Sequence, residues 1–442
     1  MMQSPQPPSF TVIVAAWNSS ERIVPTIRSI LAQTYQPLEV MVVGDGCTDD
    51  TGEVLARHFG EAVQWHNLDE NRGSQSYPNN AGIAMARGSH VAYLGHDDVW
   101  SPQHLARLAR VIEQRNPDLA VSGAIFHAPA GARRYQITGL FDDPSAPQHE
   151  FFPPSSFAHR RDLTDRIGPW PDPREVRAPV DCDLLLRAAK AGCSFVSTGV
   201  VTVHKFAAGH RYLWYRYPSA DEQAGMLERL LQPGGEQAVL SEVRADIKAG
   251  ADKERIRYVD FSNRAPGEIY REARRAKGLE RERLQALNAP FLVCQPGGRA
   301  ALDWYAPAKH PVHGIYRWSG PNPNPRLFIP VSASGPFHLR LSLIAFASED
   351  IAAGFGVDIN DVPARVTFEP AGDGARVARV YPSADCTATE GLKLCLRMPG
   401  SVQAPGDPLH RRVGLALGEV WVVPEGASGE GLPDSSRPQG GD

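Results

Sequence analysis

Between Phe10 and Phe126, short runs of β-branched and apolar residues alternate with longer stretches whose apolar residues recur at helical spacing. No other feature constrains the fold as tightly. Strand–helix–strand units bury both kinds of apolar face when the strands lie mostly parallel in one sheet and helices cover both of its sides. Phe10 to Val14, Leu38 to Val43, Val63 to Trp65, Val91 to Leu94 and Ala120 to Phe126 read as strands. Ile23 to Leu31 reads as a helix with Pro25 in its first turn, and Asp50-Thr51-Gly52-Glu53 resembles a capping box opening a second. Further helices are expected over Asn80 to Ala86 and after Ser101-Pro102, where Leu105, Leu108 and Ile112 share a face. A proline-rich, irregular stretch to about Pro179 precedes a helix from Asp181 to Ala191 and a strand around Phe195 to His204.

At 442 residues the chain is too long for one core, so it divides. Residues 10–219 are expected to form the α/β domain, and residues 220–289, charged and helical in period, a helical connector. From 290 to 425 the pattern changes to alternating strands, among them Leu339 to Leu343, Val377 to Val380 and Val413 to Val423, which predicts an antiparallel β-sandwich. Residues 1–9 read as a flexible start and 426–442, rich in Gly, Ser and Pro, as a disordered tail. Lys and Arg number 46 against 50 Asp and Glu, so no overall charge draws the chain to nucleic acid. No apolar run approaches the ~20 residues that a membrane span requires, and the six cysteines show no C-x-x-C pairing. The expectation is a cytoplasmic protein with reduced thiols, with peripheral association at the inner membrane face left open.

In an open parallel sheet, ligands bind beyond the carboxyl ends of the strands. Two strands here run into acidic turns, Gly44-Asp45-Gly46 and Gly95-His96-Asp97-Asp98. Asp and Gly are ordinary turn formers, and Asp45 alone supports that reading equally well. Adjacent Asp97 and Asp98 repel each other and gain little as turn formers; a divalent cation between them and a pyrophosphate would supply the compensating charge. The G-x-G-x-x-G dinucleotide fingerprint fails, because Asp49 stands where its third glycine belongs, and no G-x-x-x-x-G-K-[ST] loop occurs.

Taken in order, Val12-Ile13-Val14-Ala15-Ala16-Trp17-Asn18, Ser29 to Tyr35, Val42-Val43-Gly44-Asp45-Gly46-Cys47-Thr48-Asp49, Asn71-Arg72-Gly73 with Asn80-Ala81-Gly82-Ile83, and His96-Asp97-Asp98 closely resemble the family 2 glycosyltransferases of GT-A fold. The resemblance covers roughly the first half of the chain. It implies a Rossmann-like GT-A domain that moves a sugar, with inversion, from a nucleotide-diphosphate sugar to a glycan or lipid-linked acceptor. A UDP-sugar is favoured as donor, and Mg2+ or Mn2+ as cofactor. It further implies that Ala15, Trp17 and Asp45 cradle the nucleotide, Asp45 recognising the base, while Asp97-Asp98 touches ribose and metal. His96 replaces the first acid of a strict D-x-D, which places metal ligation on Asp98, and Asn79 stands where arginine is common.

The family's E-D-x-D sequence is matched by Val180-Asp181-Cys182-Asp183, without the leading glutamate. At about 100° per residue, the two aspartates point about 200° apart on a helix. Asp181 shares its face with Leu184, Leu185 and Ala188, whereas Asp183 lies one turn before Arg187. Asp181 is therefore expected as the catalytic base and Asp183 as a structural partner, a helix N-cap being the competing or coexisting role for Asp181. His204 is a second candidate metal ligand, although a lone histidine is more often packed or exposed. Lys205, His210 and Arg211 would either approach a diphosphate or form a solvated basic turn. The loop from Phe151 to Trp170 would either form the acceptor side, its aromatics facing sugar rings, or simply pack. A reading of another class makes the chain a carbohydrate-binding or assembly protein whose sandwich is the active part and whose transferase half is degenerate.

Overall fold

Strand β1 (Phe10–Ala16) forms the centre of a ten-stranded sheet because every second side chain feeds a different core. Phe10, Val12 and Val14 pack in one cluster with Ile23, Ile27 and Ile30 of helix α1 (Ile23–Leu31), while Ile13 faces the opposite cluster with Met41, Val43 and Tyr93. Each such buried aliphatic side chain contributes about 1.5–3 kcal/mol. The next elements are β2 (Glu39–Gly44), α2 (Thr51–Phe59), β3 (Gln64–Asn67), α3 (Ser76–Met85), β4 (His90–Tyr93), β5 (Asp98–Trp100) and α4 (His104–Arg115). Then come β6 (Leu119–His127), β7 (Arg134–Thr138), β8 (Phe157–Arg160), α5 (Leu163–Ile167), α6 (Val180–Lys190) and β9 (Phe195–Lys205). Helices α7 (Asp221–Leu231) and α8 (Gly235–Lys248), strand β10 (Asp252–Glu254) and helix α9 (Glu268–Ala276) follow.

The sheet order is β10-β7-β6-β8-β4-β1-β2-β3. β1 runs parallel to both β2 and β4, and β2 to β3, so these strands end along one edge. The far half is mixed: β8 is antiparallel to β4 and β6, while β9 is parallel to β6 and antiparallel to β5. A Rossmann-like, mostly parallel half therefore curls into an antiparallel one, the GT-A arrangement.

The computed structural model describes residues 7–127, 134–143, 145–206, 219–249, 252–254, 256–258, 260–276, 284–293, 304–305, 308–320, 322–384, 386, 388–389, 391–404 and 412–426. Most of the expected flexible start and tail, and both His210 and Arg211, lie outside the described residues. The chain forms two compact units, one built on Met1–His127, Arg134–Ala208 and Leu213–Glu280, the other chiefly on Arg281–Asp442. No helix among the described residues is long and apolar enough to cross a membrane.

Residues 220–289 are not a purely helical connector. Leu227 and Leu230 of α7 and Val239 of α8 bury against Val99 and Phe206, and β10 adds to the exposed edge of β7. Asp252-Lys253-Glu254 carries no strand signal; edge pairing overrides propensity there. Near the end of residues 220–289, Gln285–Ala286 pairs as a short strand with Val331–Ser332. Asp50 does not cap α2 through its side chain; Asp49 does so instead, its Oδ1 accepting the Thr51 N–H at 3.2 Å and the hydroxyl at 2.6 Å.

The second unit is the expected antiparallel sandwich. One sheet pairs Phe337–Phe346 with Arg376–Tyr381 and Leu415–Pro424; the other pairs Leu392–Arg397 with Arg326–Ile329 and Gly356–Ile359. Leu339, Leu341, Val380 and Val422 of the first sheet share one core with Leu327, Leu394, Leu396 and Val357 of the second.

Among the described residues, the first unit encloses three histidines with no exposed surface. Burial holds His104 down at about 3, and His159 and His204 at about 4. His104 Nδ1 meets Thr202 Oγ1 at 2.6 Å, and His159 Nε2 meets the Tyr93 hydroxyl at 2.7 Å. Unfolded histidines take a proton near pH 6.5, so between about 6.5 and 4 the unfolded chain binds more protons than the folded one. Stability should therefore be fully present above pH 6.5 and fall as the pH drops, by up to about 1.4 kcal/mol per pH unit for each histidine. Urea unfolding at pH 7, 6 and 5 should give steadily lower midpoints; equal midpoints would contradict this.

Candidate active site

The carboxyl ends of β1 and β2 lie side by side, Ala16 opposite Gly44, and the Asp45 N–H donates to the Ala16 carbonyl at 2.8 Å. Asp45 is only 4% exposed. Its Oδ2 accepts from the N–H groups of Gly73 at 2.7 Å and Ser74 at 3.2 Å and from Asn71 Nδ2 at 3.2 Å, and its Oδ1 accepts the Arg72 N–H at 3.1 Å. The Asn71-Arg72-Gly73 motif thus wraps this carboxylate. Burial pushes the Asp45 carboxyl up, against the pull of those N–H groups and of the Arg274 charge. Next to it, the Ala15 carbonyl lies 3.2 Å from His96 Nδ1, which ties the exit of β1 to the acidic turn after β4. Trp17 is half-buried, its carbonyl accepting the Ser19 hydroxyl at 3.0 Å. Asn79 is buried on α3, and its Nδ2 has no hydrogen-bond partner among the described residues.

Gly46 makes the wrapping possible. Its φ is 63°, and a Cβ would stand 2.3 Å from the Asn71 nitrogen and 2.4 Å from the Glu70 carbonyl carbon. Gly46→Ala should cost about 1–2 kcal/mol for the left-handed backbone alone, and should also push residues 70–74 off Asp45. A lowered unfolding midpoint together with weakened binding of a nucleoside diphosphate, read by calorimetry, is the expected outcome.

Asp97 and Asp98, adjacent in sequence, have different fates. Asp98 is wholly buried: its Oδ2 accepts from the Ser155 hydroxyl at 2.6 Å and from the Lys205 ammonium, and its Oδ1 from the Phe206 N–H at 3.2 Å. Asp97 is half-buried and keeps access to solvent. Antiparallel pairing sets Asp98 opposite Lys205 on β9, and Val99 opposite His204. Lys205 is 14% exposed. Burial works against its charge, but Asp98, Asp97 and Asp181 together hold the ammonium above its ordinary range. Asp181, in the first turn of α6, therefore lies within electrostatic reach of the same group as the acidic pair.

Asp183 forms the expected one-turn ion pair with Arg187, at 2.7 Å. That guanidinium also clamps the carbonyls of Ile167, Gly168 and Pro169, which fixes the loop before α6. Pro179, not Asp181, occupies the N-cap position.

Other expectations are corrected. His204 is not brought to the acidic pair: it is fully buried with Nδ1 3.0 Å from His127 Nε2 and Nε2 3.4 Å from Ser101 Oγ, because strand alternation turns it to the opposite side from Lys205. Both oxygens of Asp98 accept hydrogen bonds from protein donors, whereas Asp97 is the more exposed of the two acids. Most of the aromatics of residues 151–170 offer no sugar platform: Phe152, Phe157 and Trp170 are core residues, Trp170 Nε1 donating to the buried Tyr93 hydroxyl at 3.1 Å, and Phe151 is half-buried.

Ser155, which positions Asp98, is assigned no role by sequence reasoning, and Tyr258 is missed outright. The Tyr258 hydroxyl is buried without a partner among the described residues, and burial, with the neighbouring Cys182 and Asp181, pushes it up. No motif surrounds Tyr258; only the pairing of residues 256–258 with residues 149–151 brings it here.

The sequence pattern described as glycosyl transferase family 2 matches residues 11–167, the segment that supplies Ala15, Trp17, Asp45 and the Asp97-Asp98 pair. Residues 11–167 are thus similar to the family 2 glycosyltransferases. Succinoglycan biosynthesis protein ExoO of Rhizobium meliloti is 39% identical over 114 residues, 26% of this chain and 32% of that protein. Glycosyltransferase GlyG of Streptococcus pneumoniae is 28% identical over 112 residues, 25% of this chain and 37% of that protein. The UDP-Glc:alpha-D-GlcNAc-diphosphoundecaprenol beta-1,3-glucosyltransferase WfaP of Escherichia coli is 25% identical over 134 residues, 30% and 51% of the two chains. The match thus spans about a third of the first two relatives and half of the last.

The described residues hold no cluster of three or more His, Cys, Asp and Glu side chains able to bind a metal by themselves. Asp98 pairs with Lys205, and Asp97 and Asp181 act on the same ammonium through their charge, so the acids outnumber the cation here and a divalent cation would offset the excess. The residues fit a cation held by Asp97 and completed by oxygens of a bound diphosphate.

Proposed function

We propose that this protein transfers a sugar from a nucleoside-diphosphate sugar to a hydroxyl group of a glycan or lipid-linked acceptor, with inversion at the anomeric carbon. The carrying observation is that the adjacent Asp97 and Asp98 and the distant Asp181 all lie within electrostatic reach of the ammonium of Lys205. In this reading Ala15, Trp17 and Asp45 seat the nucleotide, and Asp98 with Lys205 and Ser155 is the rigid floor beneath its diphosphate. Asp181 removes the proton from the acceptor hydroxyl as that oxygen forms its bond to the anomeric carbon. The bond to the diphosphate oxygen breaks on the opposite face, and the electron pair leaves with the diphosphate. Mg2+ or Mn2+ held by Asp97 would neutralise charge on that leaving group.

A uridine donor is favoured, in keeping with the WfaP relative, which is named for UDP-Glc as donor and a diphosphoundecaprenol-linked acceptor. Polysaccharide assembly in the cytoplasm, at the inner membrane face, is the setting this implies, as the name of the ExoO relative also suggests. Residues 10–219 would be the catalytic domain and 290–425 an accessory sandwich, with 220–289 between them. Thermal unfolding with UDP, GDP, CDP and ADP, each with Mg2+, Mn2+ or chelator, tests the reading. One nucleoside diphosphate should raise the midpoint, and more so with metal, through ligand linkage. A flat response to all four, with glycan binding confined to the sandwich, would favour the binding-protein alternative.

A further inference from the structure

Residues 256–258 and 260–276 cross the site edge as a strap. The Phe151 N–H donates to the Ile256 carbonyl at 3.2 Å, Arg177 Nη1 to the Ser262 carbonyl at 2.7 Å, and the Gly267 N–H to the Val176 carbonyl at 2.9 Å. The strap ends in α9, where the Tyr270 hydroxyl donates to the Arg72 carbonyl at 2.7 Å. One turn on, Arg274 lies against the loop that wraps Asp45: a Cβ on Gly73 would stand 1.9 Å from its Nη1. Its guanidinium is half-buried, packs 5.6 Å from the Tyr270 ring centroid, and forms no ion pair or hydrogen bond among the described residues. Its charge nevertheless acts on the Asp45 carboxylate.

Asp45 Oδ1 accepts one hydrogen bond and has capacity for a second. An acceptor and a cationic donor side by side match a nucleobase edge on which a ring N–H, placed on the carboxylate, is flanked by a carbonyl oxygen. Uracil presents that edge through N3–H and its neighbouring carbonyls. Cytosine presents the reverse, a bare ring nitrogen beside an amino group, which would set lone pair against carboxylate and N–H against guanidinium.

Resting on the transferase reading above, we infer that Arg274 is a specificity-determining residue of the donor site, donating to the base carbonyl beside the N–H that Asp45 accepts. Calorimetric titration of the full chain with UDP and CDP, in Mg2+, tests it in wild type, Arg274→Ala and Arg274→Lys. Wild type should prefer UDP. Arg274→Ala should weaken UDP binding by about tenfold or more, as expected for a lost charged hydrogen bond, while CDP binding changes little and the unfolding midpoint stays within about a degree. Arg274→Lys should recover part of the loss. Equal weakening of UDP and CDP would place Arg274 on the diphosphate or in a structural role, and unchanged UDP binding would remove it from the site; either result overturns the inference. A wild type that binds neither nucleotide would instead sink the transferase reading itself.

Discussion

Asp181→Asn should reduce sugar transfer by a factor on the order of 10² to 10⁴, the usual contribution of a positioned general base. The amide is nearly isosteric but cannot take the acceptor proton. Asp181 lies in the first turn of α6, where a negative charge is favourable near the helix N-terminus, so the substitution should cost well under about 1 kcal/mol of stability. Donor binding should be unchanged, because the nucleotide contacts proposed above lie on other elements. The control is Asp183→Asn on the same helix. Asp183 is held by Arg187, which clamps the loop carbonyls at residues 167–169, so its loss should lower the unfolding midpoint and leave transfer within about tenfold of wild type. If both variants lost activity equally, or Asp181→Asn stayed active, Asp181 would not be the base.

The largest stability effect should come from the buried pair. Asp98 has no exposed surface, and Lys205 supplies its counter-charge. Lys205→Met leaves an ionised carboxylate enclosed with only the Ser155 hydroxyl and the Phe206 N–H, which should cost about 3–5 kcal/mol. Adding Asp98→Asn removes the stranded charge, so the double variant should recover much of that loss even though it carries one more substitution. Denaturant unfolding of the two single variants and the double variant measures the coupling. A double variant less stable than Lys205→Met would mean that the pair is not the charge-compensated floor described here.

Much of this arrangement is legible in the residues themselves. The β-branched runs that become β1 and β2 and the isoleucine spacing of α1 place elements within two residues of their observed bounds, because burial on both faces leaves little freedom. The Asp183–Arg187 pair also follows from helical spacing alone. The division of labour between Asp97 and Asp98 does not, because it depends on which of them faces β9. That pairing joins residues more than a hundred positions apart, and it brings Lys205 rather than His204 to the carboxylate. The strap of residues 256–258 and 260–276 is equally opaque: its charged, short-period sequence reads as connector, and its hydrogen bonds to residues 149–151, Val176, Arg177 and Arg72 make it part of the site. The aromatics of residues 151–170 mislead for the same reason, since the ring faces they could offer a sugar are spent on the core around Tyr93.

The placement of the cation relative to the two acidic residues tests the central claim most directly. Crystals grown with UDP and Mn2+, measured for anomalous scattering from manganese, should show the ion bound to Asp97 and to the diphosphate, with Lys205 still paired to Asp98 and the end of the diphosphate that carries the sugar directed towards Asp181. Manganese on Asp98 with Lys205 displaced, or UDP in a cavity that Asp181 does not reach, would contradict the account.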